Sequence, residues 1–176
     1  GTGKRVKTAL KTTVMVLFAF TGCFDDPAEQ FPSFDDCLTP VQQGFRLGTG
    51  ASTFVPLRTE SPIQLVAGFQ GGYHVHASAD APDMLSNGAR LLVNLCQDGA
   101  VVARAREVLT DEDGARGFQA NGVYVYLLHD YLPAQIADID SELVALLIAG
   151  DGSEYRAGVV VKPTCCVNLL DGETPE

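Results

Sequence analysis

The chain has 176 residues, of which 46% are hydrophobic, and its 12 basic and 22 acidic side chains leave a formal charge of −10. That balance argues against a nucleic-acid partner, whose phosphates are met by Lys and Arg. The length suits one domain with a sizeable core.

The first element is a leader. Lys4, Arg5, Lys7 and Lys11 precede an apolar run from Thr12 to Phe20, and no acid occurs before Asp25. The run is too short to span a bilayer, which takes about 20 residues. A basic start, a short apolar core and small residues at its end predict a secretory signal peptide over residues 1–22. Its last four residues, Phe20-Thr21-Gly22-Cys23, resemble a bacterial lipobox, although Leu is usual where Phe20 stands. The resemblance implies that the Cys23 thiol is acylated, that the chain is cut before it, and that the new amino end carries lipid such as palmitate. The mature chain would keep all 22 acids and 8 basic residues, a charge of −14. So acidic a body reaches a membrane through acyl chains rather than through charge, and several chains make the anchor stable. The expected address is the cell envelope, membrane-anchored and facing the periplasm or the cell surface.

Residues 23–43 are acidic and broken by Pro27, Pro32 and Pro40, which reads as a tether ordered at most near Cys37. Residues 44–170 then alternate β-branched runs with turn signals, and 171–176 form a tail. Strands are expected at 44–47, 53–58, 63–67, 73–79, 90–96, 101–109, 122–128, 142–149 and 155–162, with a helical turn at 132–136. Gln97-Asp98-Gly99-Ala100 and Gly150-Asp151-Gly152-Ser153 are short Asp-Gly hairpin signals. In 90–96, Leu91, Val93 and Leu95 share one face, with Arg90, Leu92, Asn94 and Cys96 on the other. In 123–127 the valines fill a core while Tyr124 and Tyr126 cover a rim. Short strands without intervening helices predict an all-β fold, an antiparallel immunoglobulin-like β-sandwich, with a small β-barrel as the alternative.

Five cysteines leave one unpaired in an exported chain. Lipidation of Cys23 removes it and leaves Cys37, Cys96, Cys165 and Cys166 for disulfides. A bridge between Cys165 and Cys166 fits ordinary disulfide geometry poorly. At a strand end their side chains point to opposite faces, so each is expected to reach one of Cys37 and Cys96, in either crosswise arrangement. A redox or metal role for the Cys-Cys pair competes with this reading, but no CxxC spacing supports it.

The most distinctive stretch is Gly68-Phe69-Gln70-Gly71-Gly72-Tyr73-His74-Val75-His76. Its glycine pair suggests a tight turn into the next strand. With Leu47-Gly48-Thr49-Gly50 and Phe54-Val55-Pro56-Leu57 ahead of it, this order resembles uncharacterised lipoproteins of myxobacteria and related deltaproteobacteria. Those carry a G-P-Q-G-G-[YW]-H-V motif, with Phe69 here at the Pro position. The resemblance implies an address and a fold but no activity.

His74 and His76 share one face of the expected strand, close enough for two imidazoles to hold one metal ion. Asp80, Asp83, Met84 and His129 are further donors that nothing in the sequence brings close. The plainer reading is a solvated strand face opposite Tyr73, Val75 and Ala77. Asp111-Glu112-Asp113-Gly114 and Asp138-Ile139-Asp140 read as solvated acidic turns, since the first lacks the ligand spacing of a calcium loop. Serines 52, 61, 78, 86, 141 and 153 include no Gly-x-Ser-x-Gly elbow. No catalytic residue and no cofactor is implied. The leading expectation is a non-enzymatic lipoprotein that binds an envelope protein or polysaccharide. A metal-binding lipoprotein and a structural spacer are the rivals.

Overall fold

A computed structural model describes residues 31–38, 44–68, 71–85, 88–109 and 116–168. The expected leader, Cys23, Phe69, Gln70, Ser86, the acidic turn at 111–114 and the tail lie outside the described residues. Within them the chain forms β1 (Arg46–Thr49), β2 (Val55–Pro56), β3 (Ser61–Ala67), β4 (Tyr73–Leu85), β5 (Ala89–Gln97), β6 (Ala100–Leu109), β7 (Arg116–Leu127), β8 (Ser141–Ile148) and β9 (Glu154–Asn168). One helical turn, α1 (Pro133–Ile136), precedes β8. The fold is all-β. Each strand grows from one of the alternating runs, but β4, β7 and β9 extend well past the expected bounds. Between β5 and β6, Asp98 and Gly99 both take positive φ (49° and 78°), as a two-residue hairpin requires.

The strands close into a ring in the order β4-β3-β9-β8-β5-β6-β7 and back to β4, with β1 and β2 as a side ribbon on β4. This corrects the expectation of an antiparallel immunoglobulin-like sandwich: the architecture is the small barrel, and β3 runs parallel to β9. The physical reason lies in β4. One of its edges pairs with β7 from His74↔Tyr126 to Leu85↔Arg116. The opposite edge is shared, by β3 at Tyr73 and His74 and by β1 at Ser78 to Asp80. Register shifts between Ala77/Ala79 and Ala81/Leu85 bend β4 enough to serve both partners. Two short ladders shut the ring: Val66↔His74 with Ala67↔Tyr73, and Ala103↔Leu127 with Arg104↔Tyr126.

Leucines and valines of β3, β5, β8 and β9 fill the interior, against a wall of small residues that includes Ala77, Ala79, Ala81, Ala103, Ala145 and Ala157. Mixing large and small side chains lets a narrow barrel fill its own centre. Gly122 takes φ 67°, and a Cβ there would stand 2.2 Å from the Ala51 carbonyl oxygen, so the loop after β1 can seat directly on β7.

A second, smaller core lies outside the ring. The outward side chains of β5 and β8, Leu92, Cys96, Val144, Leu146 and Ile148, are buried under Phe34. Residues 31–38 are thus a strap on the barrel wall rather than part of a free tether. Asn94, fully buried on β5, donates to the Phe34 carbonyl at 3.0 Å, and Arg106 donates to the same oxygen at 2.8 Å. The guanidinium groups of Arg106 and Arg156 each lie 5.8 Å from the Phe34 ring. Arg104 pairs with Asp35 at 2.8 Å and Arg156 with Asp36 at 2.5 Å.

The strap ends in a disulfide between Cys37 and Cys96, with Cα atoms 5.6 Å apart. Cys165 is joined to Cys166. The expected crosswise pairing is therefore corrected. Phe34 delivers Cys37 directly over β5, so Cys96 already has its partner, and the two cysteines ending β9 are left with each other.

Peptide mapping without reduction should recover Cys37 joined to Cys96, and a Cys37 peptide joined to either β9 cysteine would contradict this arrangement. Replacing the pair (Cys37→Ser with Cys96→Ala) should cost about 2–4 kcal/mol in urea unfolding, the usual range for a bridge. Phe34→Ala should cost about 3–5 kcal/mol, as truncation of a buried aromatic does.

Candidate functional site

The candidate site forms where β4 and β7 run side by side. Alternation turns Val75 and Ala77 of β4, and Val123 and Val125 of β7, into the barrel. Their neighbours His74, His76, Tyr124 and Tyr126 therefore share the outer face. The register sets His74 opposite Tyr126 and His76 opposite Tyr124. The rings meet closely. Centroids of His74 and His76 are 5.0 Å apart, and Tyr124 presents its ring at a steep angle to both, at 4.7 and 5.1 Å. Tyr126 lies 5.8 Å from His74 and stacks on Tyr124 at 5.9 Å, with only 17° between the planes.

The expected solvated strand face is corrected at His74, which is 3% exposed. Aromatic neighbours cover it on a face that alternation alone would leave in water. Neither of its ring nitrogens has a hydrogen-bond partner among the described residues. Burial lowers the pKa of both imidazoles below the ordinary 6.5, and the nearby His76 lowers that of His74 further. Both are therefore neutral near pH 7, each with one nitrogen lone pair available. His76 is partly exposed, and its backbone carbonyl accepts a bond from the Thr49 hydroxyl at 2.8 Å, which pins the strand here.

The glycine turn leading into β4 is closed by a bond from the Gly68 amide to the Gly72 carbonyl at 2.7 Å. Gly71 carries the positive φ, 83°, and a Cβ on either Gly71 or Gly72 would meet open space. The constraint is thus one of backbone conformation, and only at Gly71.

The other donors considered from sequence do not join this group. Asp80 is engaged by Arg46, Met84 is buried in the core, and His129 is 92% exposed beside Asp130. Among the described residues no cluster of three or more His, Cys, Asp or Glu could hold a metal ion. Asp140 lies 3.8 Å from Lys162, a surface pairing. Ser78 gives its hydroxyl to the Gly50 carbonyl, and Ser141 gives its own to the Ile139 carbonyl while accepting from Gln97. Both hydroxyls serve the framework. Sequence reasoning placed Tyr124 and Tyr126 on a rim without attaching them to the histidines. The signal available was two same-face pairs, His-x-His and Tyr-x-Tyr, whose strands sequence alone could not set side by side.

Because His74 and His76 bind protons less readily when folded than when unfolded, the unfolded state takes up more protons as pH falls below 6.5. Their contribution to stability is full above that value and is lost as pH drops through the lowered folded pKa. Urea midpoints should therefore fall between pH 7.5 and 5 in the wild type, and fall less in His74→Phe, which keeps a ring but cannot titrate. An equal fall in both proteins would contradict this. At the turn, Gly71→Val should cost about 1 kcal/mol or more through its positive φ, while Gly72→Val should stay within about 0.5 kcal/mol. Thermal melts of the two variants check it.

No known protein-family model and no curated protein sequence matches this chain.

Proposed function

We propose that the protein is an exported, lipid-anchored, non-enzymatic binding module, and that an envelope protein docks on it through Tyr124 and Tyr126. The observation that carries this reading is the tyrosine pair itself. The rings are 49% and 57% exposed, stacked on each other, and backed by the buried His74. Tyrosine offers a large rigid contact surface at low entropic cost, which is why it is enriched at interface hot spots. A strongly acidic chain favours a neutral or basic partner over an anionic one. Export and anchoring rest on the basic start, the apolar run and the Phe-Thr-Gly-Cys end. The resemblance to uncharacterised bacterial lipoproteins supports the same address, and the Cys37–Cys96 bridge suits an oxidising compartment.

Two measurements test the proposal. In a bacterium fed labelled palmitate, the wild type should be labelled and Cys23→Ser should not; label retained by the variant would sink the anchor. In envelope extracts, a protein captured by the wild type should be lost by Tyr124→Ala with Tyr126→Ala at unchanged melting temperature. The purified pair should then lose roughly 30-fold or more in affinity, the scale of a hot-spot residue. Capture of polysaccharide alone, or of nothing, would overturn the protein-docking reading and favour a glycan binder or a spacer.

A further inference from the structure

Beneath the tyrosines lies a second feature that the docking reading does not use. His74 is an imidazole 97% removed from solvent, yet neither of its nitrogens has a partner among the described residues. Buried polar side chains nearly always find one, and an orphan of this kind asks for a missing ligand. His76 lies two residues along the same face of β4, its ring centroid 5.0 Å from that of His74. We propose that His74 and His76 together chelate a divalent late-transition-metal ion, copper(II) in preference to zinc, at an open site whose remaining positions go to solvent or an incoming ligand.

The geometry suits this chemistry. An ion bound about 2.0–2.1 Å from one nitrogen of each ring sits about 3 Å from each ring centroid. Two centroids 5.0 Å apart then subtend an angle of roughly 100–110° at the ion, between the cis angle of a tetragonal copper(II) site and that of a tetrahedral zinc site. The second dihedral of histidine is soft, so the rings can turn their nitrogens toward a shared point without leaving β4. A β-strand holds the pair rigidly on one face, which lowers the entropy lost on chelation. Imidazole is a good ligand for zinc, copper and nickel, and the usual order of affinities places copper(II) highest. Both rings are neutral near pH 7, as a ligand must be. Tyr124 and Tyr126, about half exposed, cover the pair, so the ion would enter by displacing a ring on the solvent side. A site of two protein ligands leaves coordination positions free, which suits exchange or transport of the ion better than a purely structural role.

The proposal stands apart from partner docking, since it needs the histidine nitrogens and not the tyrosine surface. The test uses the full chain, stripped with chelator and then given one equivalent of CuCl2 or ZnCl2. Wild type should show a rise in melting temperature with copper that exceeds the rise with zinc. The copper(II) spin-resonance spectrum should carry hyperfine structure from two equivalent nitrogens. His74→Phe and His76→Gln should each lose the temperature rise and the two-nitrogen pattern, while His129→Ala keeps both. His76 is only partly buried, so His76→Gln carries the test even should His74→Phe fail to fold. Absence of a copper response in the wild type, or a response that survives in His76→Gln, would overturn the site. A larger rise with zinc would overturn the preference for copper.

Discussion

Closure of the ring at one row of residues is the constraint on which the rest of the barrel depends. Val66 of β3 faces His74 of β4, His74 faces Tyr126 of β7, and Tyr126 faces Arg104 of β6. Without the two short ladders, the five strands β3-β9-β8-β5-β6 and the pair β4–β7 would end in open edges there, with unpaired amides and carbonyls. The ladders on either side of this row are two residue pairs long, so side chains must help to hold what few backbone bonds can. The aromatic cluster does so from outside, and Val75 and Val125 do so from within. Arg104 extends the row further, because its guanidinium reaches Asp35 of the strap.

Closure also explains why the candidate site sits where it does. A histidine on the outer face of an ordinary strand would be solvated. Here β4 bends, β7 runs alongside it for most of its length, and two tyrosines fold over the histidine pair. Burial then follows from packing at the seam, and neutrality of the imidazoles follows from burial. The same tyrosines remain exposed on their outer sides, so one cluster presents a wet aromatic surface above and a dry imidazole below.

Much of the strand content could be read from alternation alone. The two faces of β5, with Leu91, Val93 and Leu95 inward and Leu92, Asn94 and Cys96 outward, were legible, as was the Asp98-Gly99 hairpin. The partner of each strand was not, because pairing between β3 and β9, or β4 and β7, joins residues far apart in the chain and leaves no local trace. The burial of His74 was illegible for the same reason. The strap was hidden by composition: prolines and acids between 23 and 43 suggest a solvated linker. Its signal was finer, two phenylalanines three residues apart just ahead of Cys37. Asn94 and Arg106 gave no warning that they would grip a carbonyl from that segment. The cysteine pairing failed on one point, the proximity of Cys37 to Cys96, which was a property of the strap and not of the β9 end.

The strap has a mechanical consequence. Tension entering the chain ahead of Phe31 first meets the grip of Arg106 and Arg156 on Phe34, and then passes through Cys37 into Cys96. Any load continuing toward the C-terminal side leaves residues 38–95 in a covalently bypassed loop, so β1 to β4 carry none of it. The load enters β5 only at Cys96 and Gln97 and passes at once into β6, which is hydrogen-bonded to β5 on one side and β7 on the other. Pulling such a strand out shears two ladders at once, whereas pulling β1 would peel a side ribbon one bond at a time. Resistance to force is set by the rate of that first rupture rather than by equilibrium stability. One sulfur–sulfur bond thus decides which end of the barrel gives way.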